Sequence, residues 1–184
     1  VQSSIFRVHS VYVSGNHHIK NKDLLTAVNL ENGQSLWKFT PGQVAQQLVQ
    51  LHEVYQASVS YRLPGRVELT IVERTPVLQV CSESTHPRWF AVDQEGIVLR
   101  ALPHGDDRLP RLMLKQKVNL DTRLHPKMLH DFARAIRIIE KDMPHRIWYY
   151  SLDQRGSLSL RTFANRHPFD VQIGEPVRVD CKIK

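Results

Sequence analysis

Val67-Glu68-Leu69-Thr70-Ile71-Val72-Glu73-Arg74-Thr75-Pro76-Val77 is the stretch on which the fold turns. Its apolar residues fall at every second position, 67, 69 and 71, the period of a strand with one buried face. Immediately upstream, Pro64-Gly65 marks a turn, and Ala57, Val59, Tyr61 and Leu63 alternate with polar residues before it. Together these predict a β-hairpin. Further upstream the period lengthens to that of a helix, with Val44, Leu48 and Leu51 on one stripe. Thr40-Pro41-Gly42-Gln43 supplies a capping box with proline at the first helical position, and Phe39 and Val44 occupy the two sites of a hydrophobic staple. A shorter helix precedes it, predicted from Asn21 as N-cap, through Leu24, Leu25 and Val28, to the stop signal Asn32-Gly33. The first strand runs from Phe6 to the Gly15-Asn16 turn. Phe6 and Val8 alternate in one phase, Val11 and Val13 in the other, so a bulge or a strand covered on both faces is expected near Ser10. The order strand, helix, helix, strand, strand specifies a three-stranded sheet with two helices on one face, a domain over residues 5–75.

Downstream of Pro76 the chain is β-rich, and residues 76–184 read as a second domain, giving an α+β protein. Strands are expected at Val77–Cys81, Trp89–Val92 and Ile97–Ala101, the last two joined by Asp93-Gln94-Glu95-Gly96. A Pro-, Gly- and Asp-rich loop follows from Pro103 to Pro110. One long helix then has Pro126 near its start and Leu129, Phe132, Ile136 and Ile139 on one face, ending at Met143-Pro144. Ile147–Leu152, Leu158–Phe163 and Phe169–Ile173 read as an antiparallel meander, and the alternation of Val177, Val179, Cys181 and Ile183 as one more strand.

Composition bounds the function. With 184 residues, 41% hydrophobic and 23% charged, the chain is neither a disordered tail nor a membrane-embedded protein. No apolar run is long enough to cross a bilayer. Val1 rather than Met opens the chain, which reads as an excised fragment whose anchor would lie upstream. The net charge of +7 raises nucleic acid, anionic lipid or an acidic protein as partners. Residues 1–75 carry seven Lys/Arg against five Asp/Glu, and residues 76–184 eighteen against thirteen. That thin spread differs from the concentrated patch of a nucleic-acid module. Cys81 and Cys181 have no metal or redox spacing; they either bridge, closing a loop of about 100 residues for about 4–5 kcal/mol, or remain buried thiols.

Catalytic patterns are missing. His52-Glu53-Val54-Tyr55-Gln56 lacks the second histidine of a zinc-protease helix, and His17-His18 and His125/His130 are badly spaced for one ion. No nucleophile elbow or phosphate loop occurs. Asp106-Asp107 beside Arg108 reads as a solvated turn. Arg134, Arg137 and Lys141 form a basic stripe on the long helix, read as its solvated face and moderated by Asp131 and Glu140. No catalytic residue, cofactor or metal is predicted.

The strand-helix-helix-strand-strand unit resembles a POTRA domain, and particular residues narrow the resemblance. Val11-Tyr12-Val13-Ser14-Gly15, Leu51 and Val54 leading into Ala57-Ser58-Val59, Arg62-Leu63-Pro64 and the opening stretch from Val67 to Val77 run on into Val92-Asp93, Gly96 and Leu109-Pro110-Arg111-Leu112. In that order they are similar to the FtsQ/DivIB family of bacterial cell-division proteins. The resemblance implies a non-catalytic scaffold of the divisome, single-pass in the cytoplasmic membrane, with this region outside it (periplasmic in a Gram-negative cell) and enriched at the septum. It implies binding to the coiled-coil partners FtsB (DivIC) and FtsL through strand addition to the second domain, with no nucleic acid and no small-molecule substrate. Arg155 matches a family position that pairs with an acidic partner residue, and Ser157, Leu158, Val177 and Val179 fall on the late strands. Ser58, Val59 and Tyr61 form a second candidate edge in the POTRA domain. After Gly174 the family continues with a basic, leucine-rich helix and a last strand, whereas here Glu175-Pro176 leads into the final alternation. The alternatives are a POTRA module of an outer-membrane assembly or secretion protein, which predicts further repeats or a barrel downstream, and a basic nucleic-acid binder.

Overall fold

The computed structural model describes residues 7–30, 33–35, 39–84, 86–142, 147–153, 155–164 and 167–176. It divides into two compact units, Val1–Arg74 and Thr75–Lys184.

Unit 1 comprises β1 (Ser10–Ser14), α1 (Asn21–Ala27), α2 (Pro41–Val49), β2 (Val54–Arg62) and β3 (Arg66–Glu73). Its sheet has the order β1-β3-β2, with β1 parallel and β2 antiparallel to the central β3. Val67, Leu69 and Ile71 of β3 are buried with Leu24, Val28, Val44 and Leu48 of the helical region, and Val11, Val13, Ala57, Val59 and Tyr61 pack against that cluster. The phase switch in the first strand is a bulge: the N–H groups of His9 and Ser10 both donate to the Gly65 carbonyl, at 2.7 and 3.3 Å. Val8 is thereby turned into the core ahead of Val11 and Val13.

The helix ends test the capping rules. At α2 the box is complete, Gln43 N–H donating to Thr40 Oγ1 at 3.3 Å and Thr40 N–H to Gln43 Oε1 at 3.0 Å. A cap of this kind contributes about 1 kcal/mol. At α1 the expectation fails. The N-cap is Lys20, with no side-chain cap bond, because Asn21 Oδ1 is already taken by Asn16 Nδ2 at 2.7 Å. The helix also stops before Asn32-Gly33. Asn29, at φ 49°, ends it in the left-handed region, with Asn29 N–H bonded to Thr26 O and Leu30 N–H to Leu25 O. That is a Schellman closure, which asparagine tolerates better than other side chains bearing a Cβ. Leu63 departs from its expected strand as well: β2 ends at Arg62, and Leu63 stands 64% exposed in the turn.

Unit 2 comprises β4 (Pro76–Ser82), β5 (Trp89–Asp93), β6 (Val98–Leu102), β7 (Arg111–Leu114), α3 (Pro126–Asp142), β8 (Ile147–Leu152), β9 (Leu158–Ala164) and β10 (His167–Gly174). They form one sheet, β10-β9-β8-β7-β4-β5-β6. β7, not foreseen as a strand, lies at the middle and runs parallel to both β4 and β8. On each side of it stands a three-stranded antiparallel meander, β4-β5-β6 and β8-β9-β10. Helix α3 crosses from β7 to β8 and buries Leu129, Phe132, Ala135, Ile136 and Ile139 in the core with Leu112, Tyr150, Leu158 and Leu160. The Phe132 and Tyr150 rings meet edge to face, 5.3 Å apart. Burying Leu129, Phe132, Ile136 and Ile139 stabilises the unit by on the order of 6–12 kcal/mol before chain entropy is subtracted.

One turn occurs twice in this unit. In Asp93–Ile97 and in Asp153–Ser157 the Asp carboxylate oxygen Oδ1 accepts from the backbone N–H two and four residues on, at 2.9 and 2.9 Å in the first and 2.9 and 2.8 Å in the second. A glycine in the left-handed region, Gly96 at φ 83° and Gly156 at φ 79°, completes each. The first closes β5 onto β6 and the second β8 onto β9.

Candidate functional site

The residues predicted to meet a partner fall into three settings. Arg155 is exposed at the tip of the Asp153–Ser157 turn. Its N–H is held by Asp153 at 2.9 Å, so the backbone beneath the side chain is fixed. Ser157, half-buried, gives its N–H to the same carboxylate at 2.8 Å. Leu158 differs from its expected role: its side chain is fully buried in the core, and β9 is paired to β8 on one side and β10 on the other. Neither its surface nor its backbone edge is open. Val177 and Val179 lie outside the described residues.

Edges are the second setting. The sheet order of unit 2 ends at β10, and among the described residues no strand pairs with its outer side. His167 to Asp170 are exposed there, and Pro168, lacking an N–H, suits an edge position. In unit 1, β2 is an outer strand too. Ser58 points to solvent, whereas Val59 and Tyr61 turn toward the helices, Tyr61 Oη donating to Phe39 O at 2.8 Å. Burial raises the Tyr61 pKa. A strand added to β2 would therefore meet the backbone and the serine face, not the tyrosine.

A groove that sequence reasoning missed is the third. It measures ≈ 840 Å³ and lies between the Asp107–Arg111 loop, Glu140 near the end of α3, and the start of β8. Trp148, 48% exposed, packs its ring at a tilt against those of Phe163 and Tyr149, with centroids 5.6 and 5.7 Å away. Arg161 lies 5.4 Å above Tyr149 and makes a bidentate pair with Asp170, both bonds 2.6 Å. The Arg161 guanidinium holds the Asp170 carboxyl below the usual carboxylate range. Aromatic faces beside paired charges suit the side chains of a protein partner. The available signal was the run Trp148-Tyr149-Tyr150 in a strand whose core face needs only alternate residues.

The residues that carried the sequence reading are mostly structural pins. Glu73 accepts from the backbone N–H of His17, His18 and Ile19 at 2.7, 2.9 and 2.9 Å. Desolvation pushes its pKa up, but these donors and the nearby His18 outweigh that and leave it lowered. Gly15, at φ 82°, sits where a Cβ would overlap the Ile71 carbonyl. Gln79, fully buried, donates through Nε2 to the carbonyls of Asp106 and Leu109 and accepts from Asp106 N–H at 3.0 Å, fixing the loop ahead of β7. Cys81 is buried and its thiol pushed up to about 12, which makes it a poor nucleophile. Among the described residues no group of three or more His, Cys, Asp or Glu is placed to hold a metal.

No curated protein matches the chain. Residues 6–74 match the family model described as POTRA domain, FtsQ-type. That match coincides with the β1-α1-α2-β2-β3 unit and the β1-β3-β2 sheet described above. Residues 6–74 of the chain are thus an FtsQ-type POTRA domain.

Proposed function

We propose that the protein is a non-catalytic scaffold of the bacterial cell-division machinery, which binds other division proteins outside the cytoplasmic membrane during septum assembly. The observation that carries this reading is the FtsQ-type POTRA match over residues 6–74, since a domain of that type fits a cell-division scaffold. The full-length protein is anchored in the cytoplasmic membrane by one helix and gathers at the septum. Its partners are the FtsB (DivIC) and FtsL coiled coils. The open side of β10 accepts a strand, Arg155 pairs with a partner carboxylate, and the Ser58 side of β2 offers a weaker second edge.

Among the described residues no strand pairs with the outer side of β10, and an edge of that kind leaves backbone N–H and C=O groups that a partner can complete, which supports binding by strand addition. Titrating the chain against a soluble FtsB–FtsL coiled coil tests the proposal. Saturable binding that weakens at least ~10-fold, or about 1.4 kcal/mol, on Arg155→Glu is the expected result. Absence of binding overturns the partner assignment. Binding indifferent to Arg155→Glu overturns the role of that residue.

A further inference from the structure

The turn between β2 and β3 carries the most exposed large apolar side chain among the described residues, Leu63 at 64%. Pro64 beside it is exposed too, and so are Arg62 and Arg66 on either side of the turn. The two arginines are direct cross-strand partners in the ladder, an arrangement in which like charges work against folding. Hairpin stability alone would favour a different residue at one of the two positions. Arg62 has Glu68 at 3.2 Å. Arg66 lays its guanidinium 4.6 Å over the Tyr12 ring, which fixes the group and leaves its charge in place.

A third arginine joins them from the segment leading into β1. The backbone of Arg7 lies against Gly65, where a Cβ would overlap the Arg7 carbonyl, and Arg7 is exposed. Ser10 at the start of β1 is the Cα partner of Arg66, so the chain enters unit 1 at the hairpin tip. The described carboxylates of the unit other than Glu68 lie toward the opposite end. Glu73, the last residue of β3, faces Val54 at the start of β2, and Glu53 precedes Val54. Asp23 is in the first turn of α1, just after the Ile19 segment that Glu73 holds. Among the described residues the tip therefore gathers three arginines against one acid around an apolar apex.

From this geometry we infer that the β2–β3 tip docks on an anionic bilayer, with Leu63 and Pro64 entering the headgroup boundary and Arg7, Arg62 and Arg66 meeting lipid phosphates. The occupant follows from the layering of the patch. An apolar apex ringed by long cationic side chains matches a bilayer surface, because arginine stems lie along apolar groups while their charge stays in the headgroup layer. A tip of this size is too small for a stable protein interface, which takes about 20–30 residues a side. A duplex would call for base-reading or stacking side chains, and the apex offers leucine and proline. A single turn is a weak anchor by itself and acts best beside a second membrane signal. The membrane helix proposed above would supply one at the end where the chain enters, but the contact rests on the chemistry of the tip and does not require the division role.

The test sediments the whole chain with vesicles of phosphatidylglycerol/phosphatidylcholine and of phosphatidylcholine alone. Binding to the anionic vesicles is expected to be at least ~10-fold tighter, and Arg62→Ser/Arg66→Ser to remove about that factor. Leu63→Ser is expected to weaken it by at least ~3-fold, and Arg62→Lys/Arg66→Lys, which keeps both charges, to retain it. Leu63→Trp reads the contact directly: brominated lipid is expected to quench the introduced indole beyond any quenching of the parent chain, in anionic vesicles only. Equal binding to the two vesicle types, an unaffected serine variant, loss of binding in the lysine variant, or no added quenching would each overturn the inference. So would arginine-dependent binding to polyglutamate or to a random DNA duplex that exceeds binding to the vesicles. The FtsB–FtsL titration decides the division role separately.

Discussion

Asp93-Gln94-Glu95-Gly96-Ile97 and Asp153-Gln154-Arg155-Gly156-Ser157 share a sequence pattern and the same carboxylate-to-backbone bonds, yet they occupy opposite environments. Asp93 is 3% exposed, and a Cβ on Gly96 would overlap the Leu124 carbonyl. Leu124 N–H also returns a bond to Gly96 O at 2.8 Å, so the first turn is stitched to the segment leading into α3. At Gly156 nothing lies within 4 Å of where a Cβ would stand. A turn of fixed chemistry thus acts as an internal clamp when a neighbour covers it and as a rigid pedestal for Arg155 when none does. The two also sit at opposite ends of the sheet, because β5 runs antiparallel to β7's direction and β8 parallel to it.

Gly96→Ala tests the contrast most severely. Left-handed backbone strain and a clash with a carbonyl act together, and a loss of at least ~3 kcal/mol is expected in urea unfolding. Gly156→Ala meets only the backbone strain and is expected to lose about 1–2 kcal/mol. Equal losses would show that the stitch to Leu124 carries nothing. Asp93→Ala strips a buried site of an acceptor for two N–H groups and is expected to cost about 2–3 kcal/mol, against about 1 kcal/mol for Asp153→Ala, where water replaces the bonds.

Glu73, a carboxylate capping three backbone donors in unit 1, extends the comparison through pH. Its folded pKa lies below the ordinary value of 4.5, so its stabilisation is fully present above that value. It is lost as pH falls through the folded pKa. Glu73→Gln is expected to flatten the acid limb of the stability profile below about pH 4.5, and an unchanged limb would remove the cap from the account. At the small end, Arg155→Glu should leave unfolding within ~0.5 kcal/mol of the parent while abolishing the partner contact proposed above.

Much of the architecture could be read before the structure because local chemistry agreed with tertiary packing. The capping box at Thr40 and the apolar stripe of α3 were legible for that reason, as was the hairpin around Pro64-Gly65. The misreadings came where a residue was claimed by a partner outside its own element, or where the local signal was too short to decide. Asn21 was taken by Asn16, and Asn29 reached the left-handed region before the Asn-Gly pair could act. Leu158 belonged to the core because its side chain lies on the face of β9 that packs with Leu112, Tyr150 and Leu160, a face that the alternation of a short strand does not identify. β7 escaped notice since four residues, Arg111–Leu114, cannot display a period, and their strand character comes from β4 and β8. For the candidate site, Arg155 was legible as a turn residue, whereas the Trp148 groove depends on a loop that Gln79 holds from another strand.

The central place of β7 has a consequence for how unit 2 is put together. Each flanking meander is contiguous in sequence and can zip from its own hairpins, whereas β7 must close long loops on both sides, pairing Leu112 with Val80 and with Tyr150. Four residues then join two pieces that are separately local. A chain severed within the Lys115–Lys117 stretch would be expected to reassemble from its halves, with β7 as the latch, and to fall apart again when Leu112 is replaced by a charged residue.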